Sequence, residues 1–193
     1  MSKQNLIILG SAVTGVVLIF IVANSGSDND ATAGTDTQAQ ATQNTASVEV
    51  SEGASFPDFS LTDVDGISIT NTSISEKPTI MWFTTTWCVP CQIGAKEVVK
   101  LDDEMGGDAF DVVVIFVDPK EDVRALRQWK KDFANEDWAI AFDNESSPVA
   151  QKINLKFLDS KYLLDTNGVV LNADFKIADE SYLNVIRGVV SGV

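Results

Sequence analysis

Apolar and polar positions divide this chain into three stretches. Residues 6–23 are eighteen consecutive uncharged, mostly apolar residues. Residues 24 to about 47 are Ser, Thr, Gln, Asn, Ala, Gly and Asp, without an aromatic side chain. From Ala54 onward, short apolar runs alternate with stretches of helical spacing. Phe59-Ser60-Leu61-Thr62 and Ile67-Ser68-Ile69 flank Asp65-Gly66, which predicts a short hairpin. Residues 79–84, after Pro78, form an apolar β-prone run that fits a central strand. Over 91–105, Ile93, Val98, Leu101 and Met105 fall near one helical face, and Gly106-Gly107 ends the pattern. The continuous apolar run 112–117, closed by Asp118-Pro119, reads as a strand buried on both faces. Residues 121–133 carry the stripe Val123, Leu126, Trp129 and Phe133. A strand is expected over 138–142 and a short helix over 148–153. Residues 162–164 and 169–171 flank Asn167-Gly168, a strong hairpin signal, and 181–190 suits a closing helix. The alternation predicts an α/β sandwich of three layers around a mixed central sheet.

The N-terminal run is long enough to matter. Eighteen residues at about 1.5 Å each span about 27 Å, near the hydrocarbon thickness of a bilayer, so a transmembrane helix is expected over residues 6–23, within an N-terminal anchor or signal segment of residues 1–23. Lys3 precedes the run, Asp28, Asp30 and Asp36 follow it, and no further basic residue occurs before Lys77. This asymmetry places the N-terminus in the cytoplasm and the rest outside. Ala23-Asn24-Ser25 is also acceptable as a cleavage site, which would release the remainder. Residues 24–53 read as a flexible polar linker, because they lack the apolar surface to offset ordering entropy. Residues 54–193 read as one domain.

Charge narrows the function. The chain of 193 residues has 14 basic and 28 acidic residues, a formal net charge of −14, and no histidine. Binding nucleic acid by phosphate neutralisation is excluded, as are histidine triads and histidine metal sites. The only cysteines are Cys88 and Cys91, so any thiol chemistry rests on one pair.

That pair stands in Thr84-Thr85-Thr86-Trp87-Cys88-Val89-Pro90-Cys91, between a predicted central strand and a predicted helix. A thiolate at a helix N-terminus meets free backbone N–H groups and the positive end of the helix dipole. It is therefore ionised and nucleophilic near neutral pH. The second cysteine, three positions on, lies one turn away and can resolve a mixed disulfide. Pro90 fits the first turn, where its missing N–H costs nothing. Two thiolates could also bind Cu(I), supply half of a zinc site, or form an inert bridge.

With these residues in view, the domain resembles the thioredoxin superfamily, and within it the membrane-anchored TlpA-like and ResA-like thiol–disulfide oxidoreductases. The resemblance covers residues 54–193. It rests on Phe56-Pro57-Asp58-Phe59-Ser60-Leu61 with Asp65-Gly66, the strand 79–84, Trp87-Cys88-Val89-Pro90-Cys91, the strand 112–118, and Tyr162-Leu163-Leu164-Asp165-Thr166-Asn167-Gly168. It implies a thioredoxin-like fold in which Cys88 attacks, Cys91 resolves and Trp87 covers the disulfide, with Val89, Pro90, Leu158 and Asp159 as supporting residues of the site. It implies no cofactor. The expected partners are extracytoplasmic protein thiols and disulfides and a redox partner in the membrane. A Cu(I)-binding module and a non-catalytic docking domain are the alternative readings.

The chain departs from the family pattern at the site itself. The position where relatives place a cis-proline holds Asp159, preceded by Leu158, so a trans peptide and a reshaped loop are expected. Trp82 stands where thioredoxins keep an aspartate, and Gly94 where some relatives keep a glutamate. Glu97 is the nearest acid along the helix and reads mainly as a solvated residue. Proton transfer is left to water or to Asp159.

Overall fold

The computed structural model describes residues 49–143 and 148–192. The expected membrane segment, residues 1–23, and most of the expected linker lie outside the described residues. Among the described residues no helix is long and apolar enough to cross a membrane.

The sheet has five strands: β3 (Thr79–Thr84), β4 (Asp111–Phe116), β5 (Ala139–Phe142), β6 (Ser160–Leu164) and β7 (Val170–Asp174), in the order β5-β4-β3-β6-β7. β3 runs parallel to β4 and β4 to β5, whereas β6 is antiparallel to both β3 and β7, so the sheet is mixed. β1 (Ser60–Thr62) and β2 (Ser68–Thr70) form a separate antiparallel hairpin. The helices are α1 (Val89–Glu104), α2 (Val123–Phe133), α3 (Pro148–Lys152) and α4 (Glu180–Ser191).

The period-2 alternation of strands sorts residues into two cores. Ile80, Trp82, Val112, Val114, Phe116 and Leu163 pack with Cys91, Val98 and Leu101 of α1, Leu126 and Trp129 of α2, and Tyr182 and Ile186 of α4. Met81, Phe83, Val113, Ile115, Tyr162 and Leu164 pack on the other face with Val149 of α3, Leu61 and Ile69 of the hairpin, and Val50 and Phe56 before it. Three helices thus cover one face, and α3 with the N-terminal segment covers the other. All six residues of β3 are buried, as its central place demands.

Local signals explain the ends of the helices. Asp122 accepts hydrogen bonds from the N–H groups of Arg124 and Ala125, and Asp179 does the same for Ser181 and Tyr182, so each caps its helix. Lys130 and Lys131 occupy the last turn of α2, where the dipole favours cations. At Asn167-Gly168, Asp165 accepts from the N–H groups of Asn167 and Val169, and Gly168 takes φ +75°.

Two boundaries shift from those expected. The domain begins before residue 54: Val50 is buried, and the Gly53 N–H donates to the Val170 carbonyl at 2.8 Å. The linker expected to reach residue 53 therefore ends sooner, because these residues pair beside β7. β6 begins at Ser160 rather than at Tyr162, which brings Lys161 into the sheet.

Gly94 sets how closely α1 approaches the turn before α4. A Cβ there would lie 3.1 Å from the Ala178 backbone nitrogen and 3.2 Å from the Ala178 Cβ. Gly94→Val therefore overpacks this contact at a cost of about 1–3 kcal/mol. Calorimetry should show a clear drop in melting temperature, and an unchanged value would mean that the turn yields freely.

Candidate active site at Cys88 and Cys91

β3 delivers the chain to the sheet's end, and Thr85 to Trp87 turn it into α1. Cys88 is the N-cap of α1, with extended backbone angles, and the Cys91 N–H donates to its sulfur at 3.4 Å. The two cysteines are joined in a disulfide with their Cα atoms 5.3 Å apart. Cys88 is 7 % exposed and Cys91 wholly buried. Val89 and Pro90 open the helix on its exposed side. Cys88 is thus positioned to meet a partner sulfur, with Cys91 behind it. Among the described residues no group of three or more Cys, Asp or Glu side chains is gathered to hold a metal ion.

The loop after β4 grips the motif from one side. The Val117 N–H donates to the Thr84 carbonyl, Glu121 accepts from the Thr86 N–H, and the Trp87 indole donates to Asp118 Oδ2 at 2.9 Å. Trp87 is 60 % exposed. Its indole N–H is satisfied by Asp118 at the surface. That hydrogen bond, with a second from the Lys120 N–H, holds the Asp118 carboxyl below its usual range. Glu121 is pushed up, chiefly by burial, with the nearby Asp118 charge adding to the shift and Thr86 opposing it.

Asp159 meets the site from the other side. The Leu158–Asp159 peptide is trans, and Asp159 takes the left-handed φ of +66°, a region aspartate tolerates better than most residues. Its N–H donates to the Phe83 carbonyl at 3.0 Å. Leu158 is half-buried beside it. The Asp159 carboxylate is buried, and its Oδ1 accepts from the Trp82 indole at 2.9 Å and from Lys161 Nζ at 3.1 Å. Burial pushes its carboxyl above the usual range against the pull of Lys161 and Trp82. Trp82, where relatives keep an acid, is therefore in direct contact with one. Glu97 takes no part: it pairs with Lys100 at 2.7 Å on the helix surface.

The sequence reading missed Lys161, Asp174, Tyr182 and Glu121. The signal for Lys161 was present: it has the same strand parity as Leu163, so it had to point into the core once the strand was extended by two residues.

A family model describing Redoxin matches residues 51–189. The chain belongs to the Redoxin family. Relatives of this Redoxin chain include the thiol:disulfide interchange protein DsbE of Pseudomonas fluorescens biotype C, 23% identical over 129 residues, 66% of this chain and 68% of that protein. Another is the thioredoxin-like protein YneN of Bacillus subtilis (strain 168), 26% identical over 123 residues, 64% of this chain and 71% of that one. Among solved structures, a thio-disulfide isomerase from Thermus thermophilus is similar with a TM-score of 0.61 at 19% identity, over 73% of this chain and 97% of the other. A thioredoxin-like protein from Aeropyrum pernix gives 0.58 at 21% identity, over 70% and 89%. These likenesses show the thioredoxin-like fold, and the DsbE and YneN relatives agree with the TlpA-like and ResA-like branch.

In this Redoxin domain the Glu121 contact is sensitive to pH. Its folded carboxyl binds a proton more tightly than in the unfolded chain. Its contribution to stability is therefore greatest below the unfolded value and is lost as pH rises through the raised folded one. Glu121→Gln keeps an acceptor for Thr86 but does not ionise. We expect the stability of this variant relative to the parent to increase between about pH 4 and pH 7, read as paired thermal melts. A constant difference would place the Glu121 carboxyl at its ordinary value.

Proposed function

We propose that this domain carries out thiol–disulfide exchange on protein partners outside the cytoplasm, tethered through the N-terminal apolar segment. The observation that carries the exchange reading is Cys88 at the N-cap of α1, disulfide-linked to a buried Cys91. The helix dipole and the Cys91 N–H favour a Cys88 thiolate. That thiolate attacks one sulfur of a partner disulfide, and the other partner sulfur leaves as a thiolate. Cys91, once deprotonated, attacks Cys88 Sγ and expels the remaining partner sulfur. Two electrons have then moved to the partner, and the Cys88–Cys91 bond has formed. The same steps in reverse oxidise a partner. The names of the DsbE and Thermus relatives support this chemistry.

A protein partner fits the surroundings. Trp87, Val89 and Ile93 are exposed along the start of α1, and Phe157, Phe175 and Ile177 are exposed at the sheet end that carries Asp159. Apolar rims of this kind favour polypeptide over small polar thiols. The tether reading rests on residues 6–23, Lys3 and the acidic stretch that follows.

Cys91→Ser should accumulate mixed disulfides with partner proteins, visible as bands that dithiothreitol dissolves, whereas Cys88→Ser should accumulate none. Traps formed only through Cys91 would reverse the two roles, and no traps from either variant would remove the exchange reading. Protease added to right-side-out vesicles should digest the domain. Protection until lysis would overturn the outward placement.

A further inference from the structure

The α4 side of the core holds a charged cluster next to the motif. Lys161 is fully buried, and its Nζ donates to the Asp159 carbonyl at 2.8 Å, to Asp159 Oδ1 and to the Lys176 carbonyl. It also lies 3.2 Å from Asp174 Oδ1. The ring centres of Trp82 and Tyr182 stand 5.2 Å and 5.4 Å from it. Two carboxylates, one just before β6 and one at the end of β7, thus share one ammonium, and with all three ionised a negative charge is left over beside the core. Asp159 Oδ2 and the Tyr182 hydroxyl are buried without a hydrogen-bond partner. A buried carboxylate oxygen with no donor is costly to leave charged, and its open lone pair is where a proton can sit.

Trp82 connects this cluster to the cysteines. Its indole N–H is bonded to Asp159, its ring shares one buried cluster with Cys88 and Cys91, and its Cη2 lies 3.5 Å from where a side chain on Gly94 would begin. An indole ring therefore lies between Asp159 and the helix turn that carries Cys91. The groups facing Asp159 are Lys161 from β6, Asp174 from β7, Tyr182 from α4 and Trp82 from β3. α1 brings the cysteines, and the Lys176 ammonium is turned to Asp179 at 4.0 Å.

We propose that Asp159 is a redox-linked proton site for the Cys88–Cys91 pair, binding a proton when the disulfide is reduced and releasing it when the disulfide forms. The proposal rests on the exchange reading of the pair. A partner dithiol supplies two electrons and two protons as it becomes a disulfide. The Cys88–Cys91 bond breaks, Cys91 keeps one proton as a thiol, and Cys88 remains a thiolate. The second proton goes to the Asp159 carboxylate, so total charge is unchanged. The new thiolate charge across Trp82 strengthens proton binding at Asp159. By linkage, a proton on Asp159 removes the negative charge that opposes the thiolate. The burial that raises the Asp159 carboxyl points the same way.

The experiment measures the potential of the Cys88–Cys91 pair in the full chain against dithiothreitol across about pH 5–9, a span that covers displaced carboxyl and thiol values. Each proton taken up with the two electrons changes the equilibrium constant tenfold per pH unit, about 30 mV. The parent should show a range in which two protons accompany reduction while Cys88 is already a thiolate in the far ultraviolet. Asp159→Asn should show one proton over that range and a lower Cys88 titration. Identical slopes and Cys88 titrations in the two proteins would overturn the proposal, and a purely structural role for Asp159 would leave the slope alone. Should Asp159→Asn fail to fold, Asp174→Asn gives Asp159 sole use of Lys161, and the two-proton range should move to lower pH. A fixed range would be a refutation. The slope is read with a small dithiol, so it stands or falls separately from the trapping of protein partners.

Discussion

A lysine ammonium with no access to water must be met on all sides, and Lys161 organises one end of this domain around that requirement. Its donors reach the backbone of Asp159 before β6 and of Lys176 after β7, together with the carboxylates of Asp159 and Asp174. The chain on each side of the β6–β7 hairpin is thereby tied to one point. From that point the order spreads outward. Asp159 fixes the Trp82 indole, Trp82 packs toward Gly94, and Gly94 lets the Ala178 backbone close on α1. Removing one partner from a buried charge cluster costs far more than the cluster contributes as a whole. The arrangement therefore acts as a unit, and the position of α1 relative to the hairpin depends on it.

The two cysteines consequently sit between unlike surroundings. On one side the β4–α2 loop holds Thr86 by the half-buried Glu121 and Trp87 by Asp118 at the surface, where water screens the second contact. On the other side the Lys161 cluster is dry. Cys88, at the helix N-cap, lies at the boundary with a small exposed area, and Cys91 lies on the dry side with none. The proposed division of labour between an attacking and a resolving thiol rests on this asymmetry. The attacking sulfur has to reach a partner, whereas the resolving sulfur has only to reach its neighbour.

The sequence pattern was sufficient for most of the fold because strand and helix periods are local. The run Thr79–Thr84 gave the central strand, the N-cap position of Cys88 followed from the run before it and Pro90 after it, and Asn167-Gly168 gave the hairpin. The family resemblance located Asp159 in the loop that faces the cysteines. What it did not show was the company Asp159 keeps. Lys161, Asp174 and Tyr182 come together through antiparallel pairing of β6 with β7, where Lys161 stands opposite Asp174, and through the docking of α4. Charged residues in a short apolar strand look like its solvated end until the register is known. The Trp87 bond to Asp118 was equally invisible, because it joins loops 31 residues apart in the chain.

The absence of histidine sharpens the meaning of the buried acids. No side chain in this sequence has an ordinary proton affinity near neutral pH apart from its two thiols. Besides water, a protein of this composition can supply a proton site near neutral pH by burying a carboxyl until its affinity rises. Asp143 is raised by burial too, but it spends its oxygens on the N–H groups of Val149 and Ala150 at the start of α3. Asp159 and Glu121 are the other raised carboxyls among the described residues. They approach the motif from opposite sides, and each keeps one buried oxygen without a partner. Glu121 touches the backbone two residues before Cys88 and is half-buried in the β4–α2 loop. Asp159 lies in the closed cluster behind Trp82, so its proton is held by the local charge balance. The second environment is the one in which we propose that proton binding depends on the state of the sulfurs, because charges around a buried group are screened less than those at the surface.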